Sequence, residues 1–165
     1  MHPNVLLITR FYDAFGRRDA ETMAACYHPN VEFSDPVFPA LRGTEASDMW
    51  RMLAARATDL KVRFDVKGAD DKRGTAHWDA DYTFVKTGRK VSNSIDARFE
   101  FEGGLIRRHT DRFDFWRWSR QALGFTGAAL GWTPWLRHKV QRQAAANLKA
   151  WRERPAPQSN KNGSS

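Results

Sequence analysis

The amino-acid sequence predicts an α+β fold in which a curved antiparallel sheet wraps around three N-terminal helices and a helical extension follows. Two observations carry the prediction. Apolar residues recur at about the 3.6-residue helical period as far as residue 57, then at every second residue from Lys61 onward, the change expected where helices give way to strands. The alternating stretches are separated by tight-turn sequences, Asp70-Asp71-Lys72-Arg73-Gly74, Thr87-Gly88 and Gly103-Gly104, as in consecutive antiparallel hairpins.

Residues 3–15 read as the first helix: Val5, Ile8, Tyr12 and Phe15 share a helical face, and Gly16 is a natural stop. Asp19 is suited to cap a second helix over about 20–27, which His28-Pro29-Asn30 breaks. A strand over 31–35 leads into a loop with Pro36, Pro39 and Gly43. Thr44 is placed to cap a third helix over about 45–57, with Ala46, Met49, Trp50, Leu53 and Ala57 on its apolar face. Four strands follow. Val62, Phe64 and Val66 alternate with charged residues, then Trp78, Ala80, Tyr82 and Phe84 with His77, Asp79, Asp81 and Thr83. Val91, Ile95, Ala97, Phe99 and Phe101 mark the third, and Leu105, Phe113 and Phe115 share a parity in the last, over about 105–115. Beyond the sheet, a short helix is expected over 116–121 and a small-residue apolar loop over 124–131. Thr133-Pro134 then opens a helix over about 134–152, with Leu136, Val140, Ala144, Leu148 and Trp151 on one face. The expected organisation is a main domain over 1–116, a basic Trp-rich extension over 117–153 and a disordered tail over 154–165.

At 165 residues, 41% hydrophobic and 13% aromatic, the chain is a globular protein of domain size. The single cysteine, Cys26, excludes an internal disulfide and most cysteine metal sites. No stretch approaches the roughly 18 apolar residues of a membrane span, and the N-terminus lacks the pattern of a signal peptide, so a cytoplasmic location is expected. The net charge of +8 is unevenly spread: residues 1–115 hold 18 Lys+Arg and 18 Asp+Glu, so the whole excess lies in residues 116–165. Either a solvated helix face or a contact with something acidic accounts for such a segment: an anionic membrane, a protein surface or nucleic acid. Nucleic acid is the weakest of these partners, because no reading motif accompanies the charge.

Strand alternation filters the polar residues. It turns Trp78, Tyr82 and Asn93 toward the core and Asp79, Asp81, Asp96 and Arg98 outward. In the last strand, His109 and Asp111 share their side with Leu105, Phe113 and Phe115, while Ile106 on the opposite parity signals a bulge. Asp35 lies in line with Val31 and Phe33, so it either points into an apolar space as a general base or opens a solvated turn with Pro36. Asp35, His109 and Asp111 are therefore the candidate acid/base residues. Tyr12, Phe33, Trp50, Trp78, Tyr82, Asn93 and Phe113 are the candidate substrate-binding residues, around a pocket for an apolar, ring-containing molecule. His109 could instead be a satisfied buried histidine bonded to Asp111. His77, His109 and Asp111 include no close-spaced ligand pair on one helix, so no metal is expected. A glycine-rich phosphate loop and a G-x-S-x-G turn are both absent, so no cofactor is expected either.

The helix–helix–strand–helix order followed by long strands resembles the nuclear transport factor 2-like superfamily, in its SnoaL-like and ketosteroid-isomerase-like branch, over about residues 3–116. EFSDPVF, Glu32 to Phe38, is similar to the strand carrying the isomerase's general base, which falls on Asp35. FEFEGGLIRRHTDRFD, ending at Asp114, looks like the last hairpin of the cyclases and the epoxide hydrolase, whose acid/base aspartate falls on Asp111. The helix with Trp50 resembles the pocket roof. The resemblance implies a cone-shaped α+β fold, acid/base isomerase, cyclase or hydrolase chemistry on a small cyclic apolar substrate, and a homodimer. A non-catalytic binding or interaction module of the same fold is the alternative. Two positions depart from the pattern: Phe11 falls where the isomerase has its oxyanion-hole tyrosine, and His77-Trp78-Asp79 lacks the arginine of the hydrolase's Arg-x-Asp pair.

Overall fold

A computed structural model describes residues 1–155. Three helices come first, α1 (Pro3–Gly16), α2 (Ala20–Cys26) and, after strands β1 (Tyr27–Ser34) and β2 (Leu41–Arg42), α3 (Thr44–Arg56). Four long strands follow, β3 (Lys61–Ala69), β4 (Arg73–Phe84), β5 (Arg89–Glu102) and β6 (Leu105–Arg112). The extension forms three helices, α4 (Phe115–Leu123), α5 (Phe125–Leu130) and α6 (Pro134–Glu153). The six strands make one curved sheet in the order β2-β1-β6-β5-β4-β3, as the alternation predicts, in the cone-shaped arrangement that the resemblance implies.

Local chemistry sets several boundaries. The Asp19 carboxylate accepts from the Thr22 amide at 3.0 Å at the start of α2, and the Thr133 hydroxyl accepts from the Leu136 amide at 3.2 Å at the start of α6. These are N-caps of the ordinary kind. Thr44 does not cap α3 with its side chain; Gly43 occupies the cap position at φ 57, and the Thr44 hydroxyl instead accepts from Arg152 at 3.1 Å.

The sheet has two strands beyond the four long ones. β1 starts at Tyr27 and lies parallel to β6, with Phe33 opposite His109 and Ser34 opposite Thr110. β6 carries the bulge that Ile106 signalled. Phe101 faces Ile106 while Glu100 faces Arg108, so Arg107 is the extra residue. Ile106 is therefore fully buried and Leu105 is not, which reverses the inward assignment of Leu105 and leaves those of His109 and Asp111 intact. The strand ends at Arg112, short of Phe113 and Phe115, because the Asp114 carboxylate caps α4 by accepting from the Arg117 amide at 3.0 Å.

The segment expected to be a loop over 124–131 is a short helix, α5. It forms because Gly127 and Gly131 let its backbone lie against α4. A Cβ built on Gly127 would fall 1.8 Å from the Ser119 carbonyl oxygen, an approach only glycine permits. α6 then crosses back over the body. Leu136 and Leu148 are buried, and Ala144 and Trp151 pack on the core. Gln141 donates to the Pro36 carbonyl at 3.0 Å and Arg152 to Asp48 at 3.0 Å. Of the tail expected over 154–165, residues 156–165 lie outside the described residues.

Candidate active site

A cavity of about 750 Å³ lies between the concave face of the sheet, α3 and the extension. Its wall includes Trp50 and Met49 from α3, Trp78, Tyr82, Asn93 and Ile95 from the sheet, and Phe113 beyond β6. Trp118, Leu136 and Val140 close it from α4 and α6. Among the described residues, the only carboxylates on the wall are Asp35 and Asp111. A more open groove of about 900 Å³ runs between Val37–Leu41 and α6, but it includes neither of them.

The strand register brings the two carboxylates together. With Phe33 beside His109 and Ser34 beside Thr110 in parallel strands, the next inward positions are Asp35 and Asp111, at the same end and on the same face. Asp35 stands just past the end of β1 and opens a turn there. Its Oδ1 accepts from the Val37 amide at 2.7 Å and the Phe38 amide at 2.6 Å. Both sequence expectations for it are thus partly met: it is a turn residue, and it lines the cavity. Desolvation among apolar neighbours pushes its carboxyl from 3.8 up to about 7; the turn amides oppose the rise and the charge of Asp111 adds to it.

Asp111 is held by a chain of hydrogen bonds. The Trp50 indole donates to the Tyr27 hydroxyl at 2.8 Å, and that hydroxyl lies 2.8 Å from His109 Nδ1. His109 Nε2 lies 2.9 Å from Asp111 Oδ1, which also receives the Trp78 indole at 3.4 Å. An indole N–H can only donate. The Tyr27 oxygen therefore accepts, its own proton goes to Nδ1, and Nε2 carries the ring proton to Asp111. For a neutral ring this is the direction in which every member is paired. His109 is fully buried, with Phe99 at 4.5 Å, Phe33 at 5.1 Å and Phe11 at 5.4 Å between ring centroids.

Each carboxylate thus commits Oδ1 to the protein, and among the described residues Oδ2 of either has no hydrogen-bond partner. Nearby, the Tyr82 hydroxyl accepts from the Trp118 indole at 2.9 Å, which leaves its own proton for another acceptor. Burial pushes that phenol up to about 12, so it stays protonated. Among the described residues, no three His, Cys, Asp or Glu side chains are grouped to hold a metal ion.

The expected site residues divide into two layers. Asp35, Asp111, Trp50, Trp78, Tyr82, Asn93 and Phe113 line the cavity. His109, Tyr12 and Phe33 stand behind it, fully or almost fully buried. His109 reaches the cavity only through Asp111. Tyr12 stacks on Phe64, and its hydroxyl has no partner among the described residues. Sequence reasoning missed Tyr27, placed at the end of a helix although it opens β1, and Trp118, assigned to an extension apart from the pocket. For Trp118 the aromatic richness of residues 113–118 was the available signal; the residues around Tyr27 carry none.

Comparison with known proteins agrees with this architecture. The family model for the SnoaL-like domain matches residues 8–109. No curated protein matched in sequence. Among solved structures, a protein from Xanthomonas campestris described as a candidate polyketide cyclase superposes with a TM-score of 0.64 at 21% identity, covering 72% of this chain and 96% of its own. An M. tuberculosis epoxide hydrolase of the LEH-like kind superposes at 0.59 with 17% identity, over 78% of this chain and 96% of its own. TerC, crystallised with polyporic acid, superposes at 0.57 with 20% identity, over 68% and 92%. At such identities the structures share the fold, while the family model spans most of the chain. The chain belongs to the SnoaL-like domain family, within the nuclear transport factor 2-like superfamily.

Proposed function

We propose that this chain is an acid/base catalyst acting on a small, apolar, ring-containing molecule, with chemistry of the isomerase, cyclase or hydrolase kind. The observation that carries the reading is the pair of carboxylates on one aromatic cavity, each with an oxygen that has no partner among the described residues. Asp35, with its carboxyl near 7, exchanges its proton at neutral pH, the condition in which a general base or acid works best. In this reading Asp35 Oδ2 takes a proton from an acidic carbon or from water. The Tyr82 hydroxyl donates a hydrogen bond to the substrate oxygen on which negative charge develops. Asp111, oriented by His109 and Trp78, is the second carboxylate, placed to guide or return the proton. The polycyclic wall of Trp50, Trp78, Phe113 and Trp118 favours a flat apolar body. TerC, co-crystallised with polyporic acid, is similar in fold, and that compound directs the choice of test compounds.

The experiment is proton exchange in D₂O with a panel of cyclic ketones and quinones, read by mass spectrometry. The wild-type chain should introduce deuterium at an acidic carbon of at least one member. Asp35→Asn should lower that rate by about 10²–10⁴-fold, the usual contribution of a positioned base. Exchange that persists in both Asp35→Asn and Asp111→Asn would overturn the assignment. Tight binding without any exchange would favour a binding module of the same fold.

A further inference from the structure

Part of the extension beside the cavity has a surface unlike the rest of the molecule. α5 exposes Phe125, Thr126, Ala128, Ala129 and Leu130 and buries only Gly127. Phe125 is 87% exposed, Trp132 70% and Trp135 55%. The indoles of Trp116 and Trp132 donate to the carbonyls of Ala128 and Ala129, each at 3.1 Å. These bonds satisfy the polar edge of each indole and bring the two rings to the same apolar helix. Cations surround them. Arg120 lies 4.7 Å over the Trp116 ring and the Lys139 ammonium 5.2 Å over Trp135. Arg117, Arg137 and Arg142 are exposed nearby in sequence. None of these five has a carboxylate partner among the described residues, whereas several cations of the sheet, such as Arg63 with Asp81 and Arg108 with Glu32, are paired.

We propose that α5 and the first turns of α6 form a docking surface for an anionic lipid bilayer. Exposed tryptophan and phenylalanine rings suit the boundary between headgroups and acyl chains. Unpaired arginine and lysine around them suit a negatively charged surface, and the combination is that of an interfacial rather than a spanning element. No described helix is long and apolar enough to cross a membrane. Nucleic acid fits the same charge less well, because α5 itself carries no cation and presents only apolar residues and one threonine. The surface adjoins the cavity: Thr126, Leu136 and Lys139 belong to the same elements and line its wall. Docking would therefore bring the cavity up to the lipid. The inference stands apart from the chemistry assigned to Asp35, since no residue of the docking surface takes part in it.

The test is co-sedimentation of the full chain with vesicles of phosphatidylcholine alone and of phosphatidylcholine mixed with phosphatidylglycerol. The protein should pellet with the mixed vesicles, shift its tryptophan emission to the blue, and release as salt is raised. Phe125→Ser combined with Trp132→Ser should weaken binding by about tenfold or more, and so should Arg120→Gln combined with Arg142→Gln. All four positions are exposed, so circular dichroism and melting should match the wild type. Failure to pellet, equal binding to uncharged vesicles, or unchanged binding by both variants would overturn the proposal. A dimer dissolved by Phe125→Ser, or retention on single-stranded DNA in place of vesicles, would equally overturn it.

Discussion

Replacing Asp35 by asparagine should stabilise the protein, and the gain should grow with pH. The folded chain holds the Asp35 proton up to about 7, against an ordinary value of 3.8. Below the ordinary value the carboxyl is protonated folded and unfolded alike and makes no difference. Between the two values the unfolded chain has released the proton while the folded chain retains it, so rising pH favours unfolding. Above about 7 both states are ionised and the cost is constant. At about 1.4 kcal/mol per pKa unit, the full cost is at most about 4 kcal/mol. Part of the Asp35 surface opens into the cavity, where water screens the charge, so about 2–4 kcal/mol is the expected range. That corresponds to roughly 4–16 °C in Tm for a chain of this size. Asparagine retains an oxygen for the Val37 and Phe38 amides, so the turn survives. The assay is urea unfolding of wild type and Asp35→Asn at intervals from about pH 4 to pH 9, reported as the difference at each pH. His77, whose pKa is raised mainly by its hydrogen bond to Asp96, titrates in both proteins and cancels. A difference that stays flat within about 0.5 kcal/mol across the range would refute the claim that Asp35 is held in a desolvated site. If the gain appears, loss of proton exchange in the same variant cannot be ascribed to unfolding.

Three further predictions follow from the buried layer and the extension. Tyr27→Phe deletes the hydroxyl between Trp50 and His109 and leaves two buried groups unpaired, so it should cost about 2–4 kcal/mol in urea unfolding. Nitrogen-15 spectra should show the His109 ring keeping its Nε2–H form, which the bond to Asp111 still fixes, while the Nδ1 signal shifts on losing its donor; an unchanged Nδ1 signal would sink the chain of donors drawn here. Tyr12→Phe removes a buried hydroxyl without a partner, so it should be neutral or stabilising by about 1 kcal/mol; a loss above about 1 kcal/mol would mean that the hydroxyl is bonded after all. Gly127→Ala places a methyl group against the Ser119 carbonyl, so α5 should lift from α4, at a cost of about 1–3 kcal/mol or more. Limited proteolysis should then cleave near residues 124–131 faster than in the wild type, and equal cleavage would mean that the close approach is dispensable.

Residues whose position follows from a local period were legible. The alternation through Trp78, Ala80 and Tyr82 gave their inward direction because a strand turns its side chains over at each step, and Asp111 and His109 followed in the same way. The face of Leu136, Val140, Ala144, Leu148 and Trp151 was equally plain from the helical period. Gly127 was less so. A glycine among small residues reads as loop, and only the proximity of Ser119 shows that the missing side chain lets a helix form. Tyr27 was hidden by the helix before it, whose pattern runs up to its boundary.

The order of the N-terminal helices and the long strands, the inward parity of the sheet residues away from the β6 bulge and the basic character of the extension belong to the sequence by itself, since backbone dihedrals and charge counts are local properties. The meeting of the two carboxylates does not. It depends on β1 pairing with β6 in one register, and Tyr27 and His109 are 82 positions apart, so no neighbouring residue encodes the match. The donor chain from Trp50 through Tyr27 and His109 to Asp111 crosses three elements and exists only once the core has closed around it. The same holds for the wall supplied by α4 and α6. An apolar helix face shows that something will be covered, but which surface it covers is settled by packing of the whole core, and here that surface is the cavity holding Asp35 and Asp111.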